Sequence, residues 1–98
     1  MVKEVIFESA NFQFVRERYT DGDAYLVENS KYARNTGAIV SLDTLWCDDR
    51  YIWDLGVLLD DTFIQANKLD TFMALLEEAQ LMVQKVQKYI DEHNLEPD

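Results

Sequence analysis

The sequence predicts an α+β domain in which an antiparallel sheet of four or five strands packs against one long C-terminal helix. Short aromatic and β-branched runs separated by turn signals fill the first part of the chain. Beyond position 67, apolar residues recur at helical spacing. The chain has 98 residues, 48% of them apolar, and no glycine- or serine-rich linker, so we treat positions 1–98 as a single domain with one core.

The first half of the chain predicts a strand followed by a β-hairpin. Residues 2–7 are mostly apolar and form the first predicted strand. The hairpin spans 12–28, with aromatic and β-branched residues on both sides of an Asp-Gly pair at 21 and 22. Asp-Gly is typical of a two-residue type I′ turn, because both positions of that turn need positive φ.

The middle of the chain predicts two more strands. Asn-Thr-Gly at 35–37 indicates a turn. The segments 40–46 and 51–59 alternate with a period close to two, which is typical of strands, and 48–50 then forms the turn between them. Residues 60–67 fit either a short strand or an early helical turn.

The last third predicts a helix from about 68 to 93. Asn67 is a good N-cap residue, and Asp70 follows three positions later. The apolar stripe of this helix, which ends on a histidine, consists of Leu69, Phe72, Leu76, Ala79, Val83, Val86, Ile90 and His93.

The predicted helix is longer than the strands on which it packs. At 1.5 Å per residue it measures about 39 Å, whereas strands of six to eight residues reach about 20 to 27 Å. Its last turns would then lack an intramolecular partner, and a second copy of the chain would cover Val83, Val86, Tyr89 and Ile90. The alternative is that this stripe is simply core.

The charge is strongly acidic and unevenly distributed. Nineteen acidic and nine basic residues give a net charge of −10. Positions 43–61 hold six aspartates and one arginine, so half of the net charge lies in nineteen residues. Binding to nucleic acids or anionic membranes depends on neutralising phosphates with lysine and arginine, so this composition disfavours both.

The residues needed for common catalytic or metal chemistry are missing. The chain has one histidine, His93, at a predicted helix end, and one cysteine, Cys47, expected to be a small buried hydrophobe. These two cannot form a zinc site, and neither aspartate cluster fits a calcium-binding loop. The three glycines never cluster into a phosphate-binding loop. The sequence therefore predicts a non-enzyme with no metal and no cofactor.

The segment Trp-Cys-Asp-Asp-Arg-Tyr-Ile-Trp-Asp at 46–54 is the strongest candidate for recognition. Aromatic residues surrounded by charged ones are typical of interface hot spots. The alternative is that the aromatic residues are core and the aspartates solvate a turn. The residues predicted to contact a partner are Asp43, Trp46, Asp48, Asp49, Tyr51, Trp53, Asp54, Asp60 and Asp61.

In size, acidity and lack of catalytic residues, the chain resembles the small inhibitors encoded by bacteriophages, such as anti-CRISPR proteins and DNA mimics, as well as bacterial immunity proteins and antitoxins. The resemblance is one of composition. It implies a binding protein that blocks a basic, nucleic-acid-handling protein.

The alternative hypothesis is an accessory protein that homodimerises through its helix, with the acidity serving only solubility. Because a lone cysteine cannot form an intramolecular disulfide, we expect the reducing cytoplasm of a bacterial or phage-infected cell.

Overall fold

The computed structural model describes residues 1–60 and 63–97. Five strands, two α-helices and one 3₁₀ turn follow one another in these ranges. They are β1 (Val2–Glu8), β2 (Phe12–Tyr19), β3 (Gly22–Asn29), α1 (Lys31–Thr36), β4 (Ala38–Cys47), β5 (Arg50–Leu59), the 3₁₀ turn Ala66–Lys68 and α2 (Leu69–Glu92). Asp61, one of the predicted partner-binding residues, lies outside the described residues.

The predicted fold class is confirmed. All pairings are antiparallel, and the five strands form a three-stranded sheet, β1-β2-β3, and a two-stranded sheet, β4-β5. Both sheets pack against α2. The five strands are thus divided between two sheets, whereas the sequence predicted a single sheet.

The Asn29 side chain forms hydrogen bonds between the two sheets. The Asn29 amide nitrogen donates to the Val40 carbonyl over 2.9 Å, and the Val40 backbone N–H donates to the Asn29 side-chain oxygen over 2.8 Å. Val40 is only 1% exposed, so both of its backbone groups would otherwise be buried without partners. The side chain therefore replaces one rung of backbone pairing between β3 and β4.

The strand β4 runs back alongside β3. Asn29, the last residue of β3, meets Val40 near the start of β4. Earlier in β3, the ring of Tyr25 packs edge-on against Trp53, whose partner across the ladder is Thr44. The two sheets thus follow one another as an antiparallel meander from β1 to β5, although no backbone ladder between described residues joins β3 to β4.

The core lies between α2 and the faces of the two sheets that pack against it. Its buried members are Phe12, Phe14, Val27, Ala33, Ala38, Val40, Leu42, Leu75, Ala79, Met82, Val86 and Ile90. The helix contributes every third or fourth residue to this set. Ala79, Val86 and Ile90 belong to the predicted stripe, whereas Leu75, which was not predicted, is buried and Leu69 is exposed. The amphipathic stripe is therefore mainly core.

The end of α2 does not overhang its sheet, and that expectation is wrong. Val86 is 0% exposed and Ile90 is 4% exposed, both inside the chain's own core. Because β4 and β5 have ten residues each, they reach about 34 Å, which nearly matches the helix. Beyond the helix, Leu95 returns to the sheet, where its carbonyl accepts a hydrogen bond from the Trp53 indole nitrogen over 3.0 Å.

Three local predictions need correction. The helix begins at Leu69, and Asn67 belongs to the preceding 3₁₀ turn without capping α2. The first hairpin turns at Thr20 and Asp21, and Asp21 does not have the positive φ of a type I′ turn. The turn signal at 35–37 marks the end of an unpredicted helix, α1, where Gly37 adopts a φ of 98°.

Glu78 ties α2 to the connection between β1 and β2. Its carboxylate accepts hydrogen bonds from the Ser9 hydroxyl and from both the backbone and side-chain nitrogens of Asn11, at 2.5 to 2.8 Å. Burial raises the pKa of Glu78, but these hydrogen bonds outweigh burial, so its pKa lies below the usual glutamate value. The charged form therefore stabilises the fold.

Replacing Asn29 by alanine tests the link between the two sheets. We expect Asn29→Ala to lower the free energy of unfolding by about 2 to 4 kcal/mol, because two buried backbone groups of Val40 lose their partners. Denaturant unfolding measures this loss. As a matched control, Asn35→Ala removes an exposed asparagine and should change stability by less than about 0.5 kcal/mol. Equal effects of the two substitutions would contradict the role of Asn29.

Glu78 should give the protein a distinct response to acid. A carboxyl group whose pKa is lower in the folded state stabilises the fold above its unfolded pKa, near 4.5, and this stabilisation is lost as the pH falls through the folded pKa. We expect wild type to be more stable than Glu78→Gln at pH 6, with a difference that shrinks below pH 4.5. Denaturant unfolding of both proteins from pH 6 to pH 3 measures it. A difference independent of pH would show that the carboxylate charge is not used.

Candidate functional site: the tip of the β4–β5 hairpin

The turn at the end of the hairpin is built from two aspartates in left-handed backbone conformation. Cys47 pairs with Arg50, which leaves Asp48 and Asp49 as a two-residue loop. Their φ angles are 51° and 65°, as a type I′ turn requires. The predicted turn at 48–50 is thus confirmed, with Arg50 already in the strand. A non-glycine residue in the left-handed region of backbone conformation lowers the free energy of unfolding by about 1 kcal/mol or more.

The core-facing side of the ribbon becomes exposed towards this turn. Along β4 the side chains on this face go from buried Val40 and Leu42, through half-buried Thr44, to Trp46, which is 59% exposed. Tyr51, directly across from Trp46, is 48% exposed. The ribbon therefore extends past the core, and its apolar face continues into solvent.

Trp46 and Tyr51 form a preorganised aromatic pair. Their ring centroids are 4.9 Å apart with the planes at 72°, an edge-to-face arrangement. Trp53, two positions along β5, is instead half-buried against Tyr25 and bonded to Leu95. Of the two predicted tryptophans, Trp46 is thus presented to solvent and Trp53 is largely used by the core.

The opposite face of the ribbon carries its own apolar and acidic pairs. Leu45, which is 49% exposed, pairs with half-buried Ile52. Next to them, Asp43 pairs directly with Asp54, and both are exposed. Like charges opposite one another destabilise a sheet. Leu45 and Ile52 were not among the predicted partner-binding residues. The strand alternation already placed them at the same end of the hairpin as Trp46, on its opposite face.

Cys47 is exposed, which contradicts its prediction as a buried hydrophobe. The register places it in the last pair before the turn, beyond the end of the core. Its thiol lies 3.8 Å from the Asp48 carboxylate. Cys47 was predicted to be buried because it is a small apolar residue next to a predicted strand, and the sequence does not show where the core ends.

The acidic side chains of the tip are not neutralised by ion pairs. The three ion pairs between described residues join Lys3 to Glu28, Arg16 to Glu4 and Lys88 to Glu92, all outside the ribbon. Asp60 follows β5 at the base of the hairpin, ten positions from Arg50 and therefore about 34 Å from the turn. The structure thus groups the tip aspartates with the aromatic pair and separates Asp60 from them.

We define the hairpin tip as residues 45–52. It contains Trp46, Asp48, Asp49 and Tyr51 of the predicted partner-binding set, while Asp43, Trp53 and Asp54 lie one to two positions further down the ribbon. The chain's principal-axis extents of 47 × 31 × 22 Å show an elongated shape. This exposed hairpin end carries an aromatic pair, two aspartates and Arg50.

The residues predicted for a dimer interface lie mostly inside the molecule. Val86 and Ile90 are buried, and Val83 and Tyr89 are half-buried against the core. Tyr89 packs on Phe7 and Phe14 and stacks on His93. His93 ends the helix, as predicted, with its ring nitrogen 3.0 Å from the Tyr89 carbonyl.

Two further observations concern ligands and membranes. Within 1–60 and 63–97, no three histidine, cysteine, aspartate or glutamate side chains are grouped as a metal site. No helix in these ranges combines the length and the apolar character needed to cross a membrane.

Comparison with known proteins gives no match to this chain, either among family models, among curated proteins or among solved structures.

Relieving the strain of the turn tests its geometry. We expect Asp49→Gly to raise the free energy of unfolding by about 1 kcal/mol, because glycine adopts positive φ without penalty. The matched control is Asp23→Gly, which removes the same charge from an exposed position within β3, where glycine should destabilise by about 0.5 to 1 kcal/mol. Thermal or denaturant unfolding compares them. Destabilisation by both substitutions would contradict the left-handed conformation of Asp49.

Proposed function

We propose that this chain is a non-enzymatic acidic binding protein that blocks or modulates a basic, nucleic-acid-handling protein by steric and electrostatic competition. The cytoplasm of a bacterial or phage-infected cell is the proposed setting. The main support is the hairpin tip, where the exposed Trp46–Tyr51 pair lies one residue pair from the turn formed by Asp48 and Asp49. The resemblance to anti-CRISPR proteins and DNA mimics enters as a hypothesis about the class of partner.

The tip has both components of a protein interface. Large, rigid aromatic side chains provide apolar contact area with little loss of conformational entropy. Trp46 and Tyr51 already hold each other in place, so their ordering on binding costs little further. Interface centres are commonly built this way, with charged residues around the apolar contact.

The charges point to a cationic partner. Carboxylates on the tip and on the Asp43–Asp54 pair repel one another, and within 1–60 and 63–97 none of them forms an ion pair of the kind seen at Arg16 and Glu4. Arginine side chains donate bidentate hydrogen bonds to carboxylates in the same way as to phosphates. An acidic protrusion can therefore occupy a groove that normally holds a nucleic-acid backbone.

The alternative proposal, an accessory homodimer formed through Val83, Val86, Tyr89 and Ile90, requires a surface that this fold uses internally. A second copy could cover Val86 and Ile90 only if the helix left its sheets, whereas Val83 and Tyr89 are partly exposed. The tip needs no such rearrangement, which is why we favour the first proposal.

Charge reversal at the tip, read out by affinity capture, tests the proposal. The tagged protein is used to capture partners from a nuclease-treated lysate of the cells in which it is made, at low and at moderate salt, with identification by mass spectrometry. We expect a basic nucleic-acid-handling protein whose capture weakens as salt rises. The double substitution Asp48→Lys and Asp49→Lys should weaken its affinity at least about tenfold, because like charges then face each other.

The matched control separates position from total charge. Asp21→Lys together with Asp23→Lys makes the same change of net charge at the other hairpin, and should leave affinity within about threefold. Far-ultraviolet circular dichroism confirms that each variant is folded. Equal loss with both pairs would contradict the tip as the contact, and capture of untagged copies alone would contradict the proposal in favour of the homodimer.

A further inference from the structure

The outer edge of β5 is a continuous, unpaired strand edge. β5 pairs with β4 on one side only. None of the described residues forms a backbone hydrogen bond with its other side. All ten residue pairs of the ladder follow in register from Ala38–Leu59 to Cys47–Arg50, without a bulge or a proline. Such an edge is a template for pairing with another strand.

The opposite end of the meander is protected against such pairing. β1 has a register irregularity between Val5 and Phe7, which interrupts its edge. It also carries charged residues at Lys3, Glu4 and Glu8. Bulges and charges are the usual means by which edges are blocked. β5 has no bulge, and its only charged residues are Arg50 at one end and Asp54 in its middle.

The register determines which backbone groups face outward. A two-residue turn closes on a hydrogen-bonded pair, here Cys47 and Arg50, and bonded and non-bonded pairs then alternate. The Asn29 bridge confirms this phase independently, because it uses the N–H and C=O of Val40 on the side away from β5. The outward groups of β5 therefore belong to Tyr51, Trp53, Leu55 and Val57.

The side chains beside this edge specify the chemistry of an added strand. On one face the neighbours are Tyr51, Trp53 and Leu55, which favour apolar residues. On the other face the added strand lies next to Asp54, with Asp43 one strand further, about 5 Å away. A lysine or arginine at that position would reach the carboxylates of Asp54 and Asp43, the second of which also accepts a hydrogen bond from the Thr44 backbone N–H. A second copy would instead place further acidic residues there, which the charge of −10 disfavours.

We propose that β5 binds an extended basic segment of the partner protein by strand addition, with apolar and cationic side chains alternating along that segment. The cationic character of the partner rests on the proposed function, whereas the open edge does not. Main-chain hydrogen bonds would supply affinity, and the alternating side chains would supply specificity. The aromatic pair at the tip and the added strand would form one continuous contact.

Synthetic peptides test the proposal directly. The probe is an eight-residue peptide of alternating valine and lysine, blocked at both ends and titrated into the isotopically labelled protein. We expect the exposed amides of Tyr51, Trp53, Leu55 and Val57 to exchange with solvent rapidly in the free protein. With saturating peptide their exchange should slow at least about tenfold.

Two methylated peptides separate strand addition from charge attraction. N-methylation of the valines blocks the donors needed for antiparallel addition, and N-methylation of the lysines blocks those needed for parallel addition, while both keep every charge. We expect one of the two to bind at least about tenfold more weakly and the other to bind within about threefold of the parent peptide. Equal binding by all three peptides would overturn the proposal.

Chain variants complete the test. Asp54→Asn should weaken the parent peptide about threefold, whereas Asp23→Asn, an equal charge change on β3, should not. Protection of the outward amides in the protein alone, rising with its concentration, would assign the edge to a second copy and overturn the proposal. Salt-sensitive capture that depends on Asp48 and Asp49, without protection of these amides, would overturn strand addition and leave the proposed function standing.

Discussion

The register of the β4–β5 ribbon is the constraint on which the rest of the structure depends. It is fixed at one end by a two-residue turn, Asp48–Asp49, and near the other end by the Asn29 side chain on Val40. Because the side-chain period of a strand is two, a slip of one residue would move every apolar side chain to the opposite face. The core, the exposed aromatic pair and the outward amides of β5 all follow from this one alignment.

The Asn29 bridge also explains how a chain of this size uses five strands. The connection between β3 and β4 contains α1, and no backbone ladder between described residues joins the two strands. The asparagine satisfies the buried backbone of Val40 where the neighbouring strand does not. The Asn29 side chain therefore helps the two sheets to share a single core under one helix.

Much of the fold follows from the sequence because its signals are local. Period-two alternation located β4 and β5, and 3-4 spacing located α2 to within one residue at each end. The turn type failed at 20–22, because Asp-Gly fits more than one tight turn and the pairing of Tyr19 with Gly22 decides between them. α1 was missed because six residues are too few to show a helical period.

The site was only partly predictable, because composition does not reveal where a core ends. The sequence located the acidic and aromatic segment correctly, and its spacing placed Trp46 and Trp53 in equivalent strand positions. Only the three-dimensional contacts of Trp53 with Tyr25 and Leu95 distinguish them. In the same way, the helix overhang was inferred from average strand lengths, whereas β4 and β5 are ten residues long.

The structure combines features that stability alone does not favour: two aspartates at positive φ, a directly paired Asp43 and Asp54, and an unprotected edge strand beside them. Strain and repulsion of this kind persist where the surrounding structure enforces them, and they concentrate at functional sites. Their common location on one ribbon is the basis of the proposed role in binding.

Nuclear Overhauser spectroscopy of the contacts between β4 and β5 tests the register most directly. Residues in non-hydrogen-bonded antiparallel pairs have the closest backbones. We expect α-proton contacts between Trp46 and Tyr51, and between Thr44 and Trp53. Contacts shifted by one residue, such as Trp46 with Ile52, would contradict the register and with it both the exposed aromatic pair and the outward amides of β5.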